Sequence, residues 1–213
     1  MIELRVDLVL LSLRAGRLEV LLETDSGSSV PAWRLPGSAV GERQSLEAVA
    51  QACLVAATGS TRGYLEQLYT YGDPARVPGR RTVSCVYLGL LRGASGEPKV
   101  PGGRWHDASH PPRLLFDHRA ILDYALTRLR YKLEYTAVGF ELLEATFTLT
   151  ELQRAYEAVL GEALDKRNFR RRILSAGVIE PTRAFRTGEG RPARLYRYRD
   201  DAVAEVKARR LFP

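Results

Sequence analysis

Long apolar runs broken by short polar turns open the chain. Val6-Asp7-Leu8-Val9-Leu10-Leu11-Ser12-Leu13 is apolar and rich in strand formers, as is Leu18-Glu19-Val20-Leu21-Leu22. The turn Arg14-Ala15-Gly16-Arg17 between them predicts a hairpin. Asp25-Ser26-Gly27-Ser28-Ser29 reads as a loop. Ser45 to Ala57 lacks Gly and Pro, is alanine-rich and is followed by Thr58-Gly59, which predicts a helix with a glycine stop. Strand-like runs return at Tyr64–Tyr71 and Thr82–Leu91. Gly and Pro then crowd Arg92–Pro112, read as loop with a short edge strand. From Phe116 to Tyr135 the period changes: Ile121, Leu122, Ala125, Leu129 and Leu133 keep a 3.6-residue beat, so a long helix is expected.

After a junction near Thr136–Ala145 the elements shorten. Thr148-Leu149-Thr150-Glu151 is a capping box, with Phe147 and Leu152 as its hydrophobic staple. That helix runs to Leu160 and stops at Gly161. A second starts at Asp165, a good N-cap, and runs to Ala176 before Gly177. Val178-Ile179-Glu180, a basic Gly-rich stretch to Arg194, and Leu195-Tyr196-Arg197-Tyr198 read as strand, loop, strand. A last helix is expected over Asp200–Leu211. The fold class is therefore α+β: a strand-rich domain over residues 1–140 and a helix-turn-helix with a wing over 141–213.

Charge sharpens this division. The chain of 213 residues carries a net +7. From Phe147 onward there are 15 Lys/Arg against 9 Asp/Glu, leaving 17 against 16 for the preceding residues. The excess thus belongs to the C-terminal third, the electrostatic footprint of a nucleic-acid-binding module. On a wheel of about 100° per residue, Phe169, Ile173 and Ala176 share a face that would pack on Leu152, Ala155, Tyr156 and Val159. Arg167 and Arg171 point the other way, with Asn168 and Arg170 on the flanks and Lys166 at the start. Arg and Asn read guanine and adenine edges in a major groove. In the following hairpin Arg183, Arg186, Arg191 and Arg194 flank Gly188-Glu189-Gly190, as expected of a wing reaching phosphates. A solvated basic face is the competing reading of the same charges.

Other classes recede. No apolar run approaches the roughly 18 residues of a membrane span, and the charged N-terminus lacks a signal-peptide pattern. Cys53 and Cys85 form no framework or metal motif and read as core thiols. A cytoplasmic protein without a bound cofactor is expected.

The stretch Trp33–Val40, followed by Ser45–Ala50 and Ala57-Thr58-Gly59, resembles a Nudix box in its loop–helix–loop layout. Active members of that family place glutamates on one helix face to hold Mg²⁺. Here the Arg-Glu pair reads Ala52-Cys53, the Glu-Glu pair reads Ala56-Ala57 and the upstream glutamate reads Gln44. Glu47 lies outside the expected cluster. No metal site and no hydrolysis by the usual route are expected. Arg43 stands where the family usually has glycine.

Both halves together resemble the Nudix-related transcriptional regulators, which implies a Nudix-like α/β/α sandwich with a mixed sheet followed by a winged helix-turn-helix domain. The segments that carry the likeness are Leu65–Pro74, Phe116-Asp117-His118, Lys132–Thr136, Phe147–Gln153, Asp165–Arg171 and Gly190–Tyr196. The resemblance implies a homodimeric repressor on palindromic double-stranded DNA, often in front of genes of NAD synthesis or salvage. It also implies ADP-ribose or a related nucleotide as effector; some relatives control sugar-utilisation genes instead. Arg34, Arg43 and Arg81 are the candidate diphosphate contacts, Tyr71 the candidate stacking ring, and His118 a candidate contact or part of the domain junction. His106, His110, Trp33 and Trp105 read as loop or packing residues. Two rivals stand beside this reading: a Nudix hydrolase using relocated carboxylates, and an architectural DNA binder that takes no ligand.

Overall fold

The structure, a computed structural model, describes residues 2–24, 32–92, 96–187 and 192–202. Contacts between Cα atoms divide the chain into two compact units, the first holding the residues up to Arg14 and Leu18–Ala125, the second holding Ala15–Arg17 and the chain from Leu126 on.

The first unit is built on a hairpin. Strand β1 (Glu3–Arg14) turns through Ala15 and Gly16 into β2 (Arg17–Thr24). Both turn residues have positive φ, 47° and 79°, the backbone that a tight two-residue hairpin requires. Further elements are β3 (Trp33–Arg34), β4 (Gly37–Ala39), helix α1 (Leu46–Thr58), β5 (Tyr64–Tyr71), β6 (Thr82–Leu91) and β7 (Arg104–Asp107). The sheet order is β3-β2-β1-β6-β5, with β4 on β1 and β7 on β2. It is mixed: β1 and β6 run parallel, Glu3 opposite Thr82 to Ser12 opposite Leu91, while the other pairs are antiparallel.

The near-continuous apolar runs of β1 and β6 have a simple cause: both faces of the sheet are covered. On one face Val6, Leu8, Leu10, Cys85 and Tyr87 join Val49, Ala50, Leu54 and Ala57 of α1 in one core cluster. The alternate residues Val9, Leu11, Val20, Leu22, Val86, Leu88 and Leu90 are equally buried on the opposite face. Burying each such side chain is worth roughly 1.5–3 kcal/mol before chain entropy is counted. Helix α1 matches its expected span: the Ser45 hydroxyl accepts from the Ala48 amide, and Gly59 ends it at φ 71°.

Helix α2 (His118–Tyr135) begins two residues later than the periodicity predicts. Phe116 adopts φ +54°, a left-handed backbone that cannot continue into the first helical turn. A 3₁₀ turn, Ala137–Leu142, fills part of the expected junction. The loop expected at 25–29 lies outside the described residues.

In the second unit α3 (Leu149–Leu160) starts with the complete capping box: the Thr148 hydroxyl accepts from the Glu151 amide and the Glu151 carboxylate from the Thr148 amide. Gly161 ends it at φ 78°. Helix α4 (Lys166–Ser175) is capped by the Asp165 carboxylate on the Asn168 amide at 2.7 Å. Between them the turn is pinned from α3. Gln153 donates to the Leu164 carbonyl, and the Glu157 carboxylate accepts from the Leu164 amide. Tyr156 and Phe169 meet edge to face at 5.5 Å, as the wheel requires.

The hairpin strands β8 (Ile179–Arg186) and β9 (Ala193–Tyr198) are longer than expected. Arg183, Arg186 and Arg194 therefore sit on strands rather than in a loop. A bridge that the sequence did not suggest joins Phe147 to Tyr196 through two backbone hydrogen bonds, 2.9 and 2.7 Å. Asp200–Ala202 is a 3₁₀ turn, and the rest of the expected last helix lies outside the described residues. No helix among the described residues is long and apolar enough to cross a membrane.

Gly37 shows how tightly β4 lies on β1. A Cβ there would fall 2.2 Å from Asp7 Oδ1 and 2.5 Å from the Val6 carbonyl. Since one of these atoms is backbone, Gly37→Ala should cost about 1–3 kcal/mol. The expected readout is a lower urea midpoint with an unchanged slope; an unchanged midpoint would show that β4 is free to move.

Candidate functional site

Two sites emerge, one in each unit. In the first, a cavity of about 300 Å³ opens among Glu3, Arg5 and Asp7 of β1, Arg34 of β3, Thr82 and Ser84 of β6, the loop Arg76–Arg80, Phe116 and His118. The loop Gly72–Arg81 is anchored by Arg76. Its Nε and Nη2 donate to the two Asp117 oxygens, both at 2.9 Å, and Nη1 donates to Ser84 Oγ at 2.6 Å. This fork-to-fork ion pair is almost completely buried on the arginine side.

One residue further on, His118 is buried and its Nδ1 accepts from the Leu35 amide at 3.0 Å. Burial pulls the imidazole below its ordinary pKa of 6.5, against the pull of Asp7 and Asp117. A neutral ring is what that hydrogen bond requires. His118 thus ties the start of α2 to the loop between β3 and β4. Arg34 is held against the Glu23 carboxylate at 2.9 Å, and burial raises the Glu23 pKa despite that cation. Arg5 lies 3.5 Å from Asp7.

The cavity gathers Arg34 and His118 of the five expected ligand residues. Arg43, Tyr71 and Arg81 are not among the described residues that line it. Arg43 is exposed. Arg81 donates to the Gly72 carbonyl at 2.8 Å, a loop-closing bond. The Tyr71 ring rests on Tyr69 at 5.3 Å, and burial with Tyr124 nearby pushes its hydroxyl up to about 12. Sequence reasoning missed Arg5, Arg76, Arg80 and Phe116. The only signal for the loop pair is an arginine cluster, Arg76, Arg80 and Arg81, in a Pro- and Gly-rich connection that has no period to read.

The residues that the Nudix resemblance sets at the metal positions, Gln44, Ala52, Cys53, Ala56 and Ala57, carry no carboxylate. Ala57 is wholly buried in the core cluster, and Ala52 and Ala56 offer no donor. Burial pushes up the half-buried Cys53 thiol. Gln44 uses its side-chain oxygen on the Gly41 amide. Among the described residues no three of His, Cys, Asp and Glu are grouped to hold an ion.

In the second unit Phe169 and Ile173 are buried, and they fix the opposite face of α4 outward. Arg167 and Arg171 are exposed there, and Lys166 is exposed at the start of the helix. Asn168 accepts from Arg171 Nη2 at 2.8 Å, so one side chain orients the other. Arg170 is turned back, half-buried, and donates to Thr150 Oγ1 at 3.2 Å. On the hairpin Arg186 pairs with the Glu151 carboxylate, and the Arg194 guanidinium lies 5.5 Å over the Phe185 ring. Arg183 is exposed; Arg191 lies outside the described residues.

A Nudix-like sheet-and-helix domain followed in one chain by a winged helix defines a class of two-domain regulators. The comparisons with known proteins agree. The family described as the NrtR DNA-binding winged helix domain matches residues 139–198. The ADPR-responsive transcriptional repressor NtrR of Acinetobacter baylyi is 35% identical over 201 residues, 91% of this chain and 80% of that protein. The crystal structure of Shewanella oneidensis NrtR with a 27mer DNA superposes with a TM-score of 0.82 at 32% identity, covering 97% of this chain and 96% of the other. The Nudix domain of the same Shewanella protein, crystallised with ADP-ribose, superposes at 0.52 and 29% identity over 59% of this chain and 87% of the other. The chain belongs to the NrtR family of transcriptional repressors.

The neutral state of His118 sets a pH dependence. Its folded pKa lies below the unfolded value, so the unfolded chain takes the proton first. Stability is complete above 6.5 and falls as pH drops below that value. His118→Asn, whose side-chain oxygen can still accept from Leu35, should flatten the fall of Tm across that window and leave a smaller slope from His106, also lowered by burial. Equal slopes for both proteins would remove His118 as the cause.

Proposed function

We propose that the protein is a DNA-binding transcriptional repressor. Residues 1–140 sense ADP-ribose or a closely related nucleotide, and 141–213 bind the operator. The observation that carries this reading is the outward cationic face of α4, fixed by Phe169 and Ile173 on the far side. A helix of ten residues gains little from crowding like charges on one face, whereas DNA repays it through phosphate contacts and counterion release. Arg167, Asn168 and Arg171 are assigned to base edges, Lys166 and Arg170 to the flanking backbone, and Arg186, Arg191 and Arg194 to phosphates beside the groove. The unit on DNA is a homodimer, each α4 entering one major groove of a palindrome.

The cavity supports the sensing half of the proposal. Guanidinium forks suit a diphosphate, and Arg5, Arg34 and Arg80 converge on a cavity of about 300 Å³ whose wall Arg76 holds through Asp117 and Ser84. That volume lies at the small end of ordinary ligand sites. With Gln44, Ala52, Cys53, Ala56 and Ala57 at the family's acidic positions, a bound nucleotide would be read rather than hydrolysed.

The deciding experiment is fluorescence anisotropy on a labelled palindrome from the protein's own promoter region, titrated with protein and then with ADP-ribose. Tight, salt-sensitive binding that ADP-ribose shifts is expected. Arg167→Ala should relax base preference at a cost of about 1–3 kcal/mol. Arg194→Ala should weaken binding to all sequences alike and reduce the salt slope by about one. Binding no tighter than to random duplex, at this palindrome and at other candidate operators, would sink the repressor reading. Binding that ADP-ribose leaves untouched would sink the sensor half alone.

A further inference from the structure

Phe116 stands out on three counts. It is a large aromatic left 46% exposed. Its φ of +54° lies in the left-handed region, a rare setting for so bulky a residue. It also lines the cavity that holds Arg5, Arg34, Arg76 and Arg80.

The backbone around it explains how this is held. On one side the Leu115 amide donates to the Trp33 carbonyl at 2.8 Å, and Leu114 bridges Trp33. On the other, Asp117 is clamped by Arg76, and the His118 amide returns to the Leu115 carbonyl at 3.1 Å. Between these two anchors the chain passes through Phe116 by a left-handed step. Glycine would take that step without strain and without exposing apolar surface. The ring is therefore kept where local stability argues against it, beside a cluster of cations. Such a cost concentrated at one residue of a cavity points to ligand binding.

We infer that Phe116 is the stacking platform for the base of a nucleotide whose phosphates lie on Arg5, Arg34 and Arg80 of the cavity. The inference rests on the sensor reading above and adds the residue that distinguishes a nucleotide from a bare phosphate compound. Stacking suits the position because a flat π-face needs no hydrogen-bond partner and tolerates a solvent-exposed rim. It also supplies the aromatic partner expected of Tyr71, whose ring lies against Tyr69 instead. The His118 ring, edge-on to Phe116 at 5.7 Å and 71°, buttresses it from the α2 side.

The test uses the full-length protein, with ADP-ribose and inorganic diphosphate as probes in titration calorimetry. Phe116→Gly and Phe116→Leu should each weaken ADP-ribose by about tenfold or more, the scale of one lost base stack, and leave diphosphate unchanged. Phe116→Trp should keep ADP-ribose binding. Its indole fluorescence, taken as the difference from wild type, should be quenched by ADP-ribose and not by diphosphate. Phe116→Gly should also melt no lower than wild type, because it relieves the positive φ; if it fails to fold, the Leu and Trp variants carry the comparison. ADP-ribose affinity within about twofold of wild type in the Gly or Leu variant, against the stacking scale, overturns the inference and leaves the sensor reading intact. So does an equal loss for diphosphate, which would make Phe116 a shaping residue. Absence of ADP-ribose binding by the wild-type protein overturns the sensor reading and the platform with it.

Discussion

The first unit depends on the buried fork between Arg76 and Asp117. Neither residue belongs to the sheet. One lies in the loop between β5 and β6, the other just before α2. Taking a guanidinium out of water is costly unless every donor finds a partner. Here two nitrogens meet the carboxylate and a third meets Ser84 on β6. Removing one partner of such a pair costs about 3–5 kcal/mol, mainly through the charge left behind. The pair's value is positional as much as energetic. It fixes the loop that carries Arg80, it fixes the entry of α2, and with His118 on Leu35 it fixes the cavity wall between them.

From that constraint the strained residue follows. With Leu115 held to Trp33 and Asp117 held to Arg76, Phe116 has no freedom to choose its backbone. The same clamps that delay the start of α2 turn the ring to the cavity rim. On the opposite face of the sheet, α1 has followed a different course. The positions that the Nudix resemblance aligns with a hydrolase's helix carboxylates are alanines and a cysteine, and Ala57 lies in the core cluster. On the proposed reading the domain keeps a shaped pocket for an anionic ligand and gives up the chemistry, so binding energy goes into stabilising one conformation rather than a transition state.

Much of this was legible in the sequence wherever a local rule decides. The spans of β5 and β6 follow from composition and bounding turns, and α1 from its alanine-rich run and the glycine stop at Gly59. The box at Thr148 and the burial of Phe169 and Ile173 follow from spacing alone. What was not legible depends on partners distant in the chain. Arg76 looks like any loop arginine until Asp117, 41 residues away, folds onto it. The left-handed step at Phe116 is invisible because its cause is a pair of anchors rather than the residue itself. The Phe147–Tyr196 bridge gives no periodicity, since a single bridged residue has none. Tyr71 and Arg81 were plausible ligand residues by type, and tertiary structure gave them other partners.

On the proposed reading, the cations of the second unit are organised before any DNA arrives, and the manner of organisation matters. Arg186 is engaged with Glu151, Arg170 with Thr150, Arg171 with Asn168, and Arg194 lies over Phe185. These contacts are exposed or half-exposed, and pairs of that kind are worth only about 0–1 kcal/mol. They hold long side chains near useful geometry, which lowers the entropy lost on binding, yet are weak enough to be exchanged for phosphate. Glu151 has a further tie. Its other oxygen caps the Thr148 amide, so it stays in place when Arg186 leaves. The arginine can therefore change partner without loosening the helix that supports α4. The proposed recognition surface is thus partly pre-organised by interactions cheap to break, while the helices beneath it are held by a capping box and a buried aromatic pair that DNA has no reason to disturb.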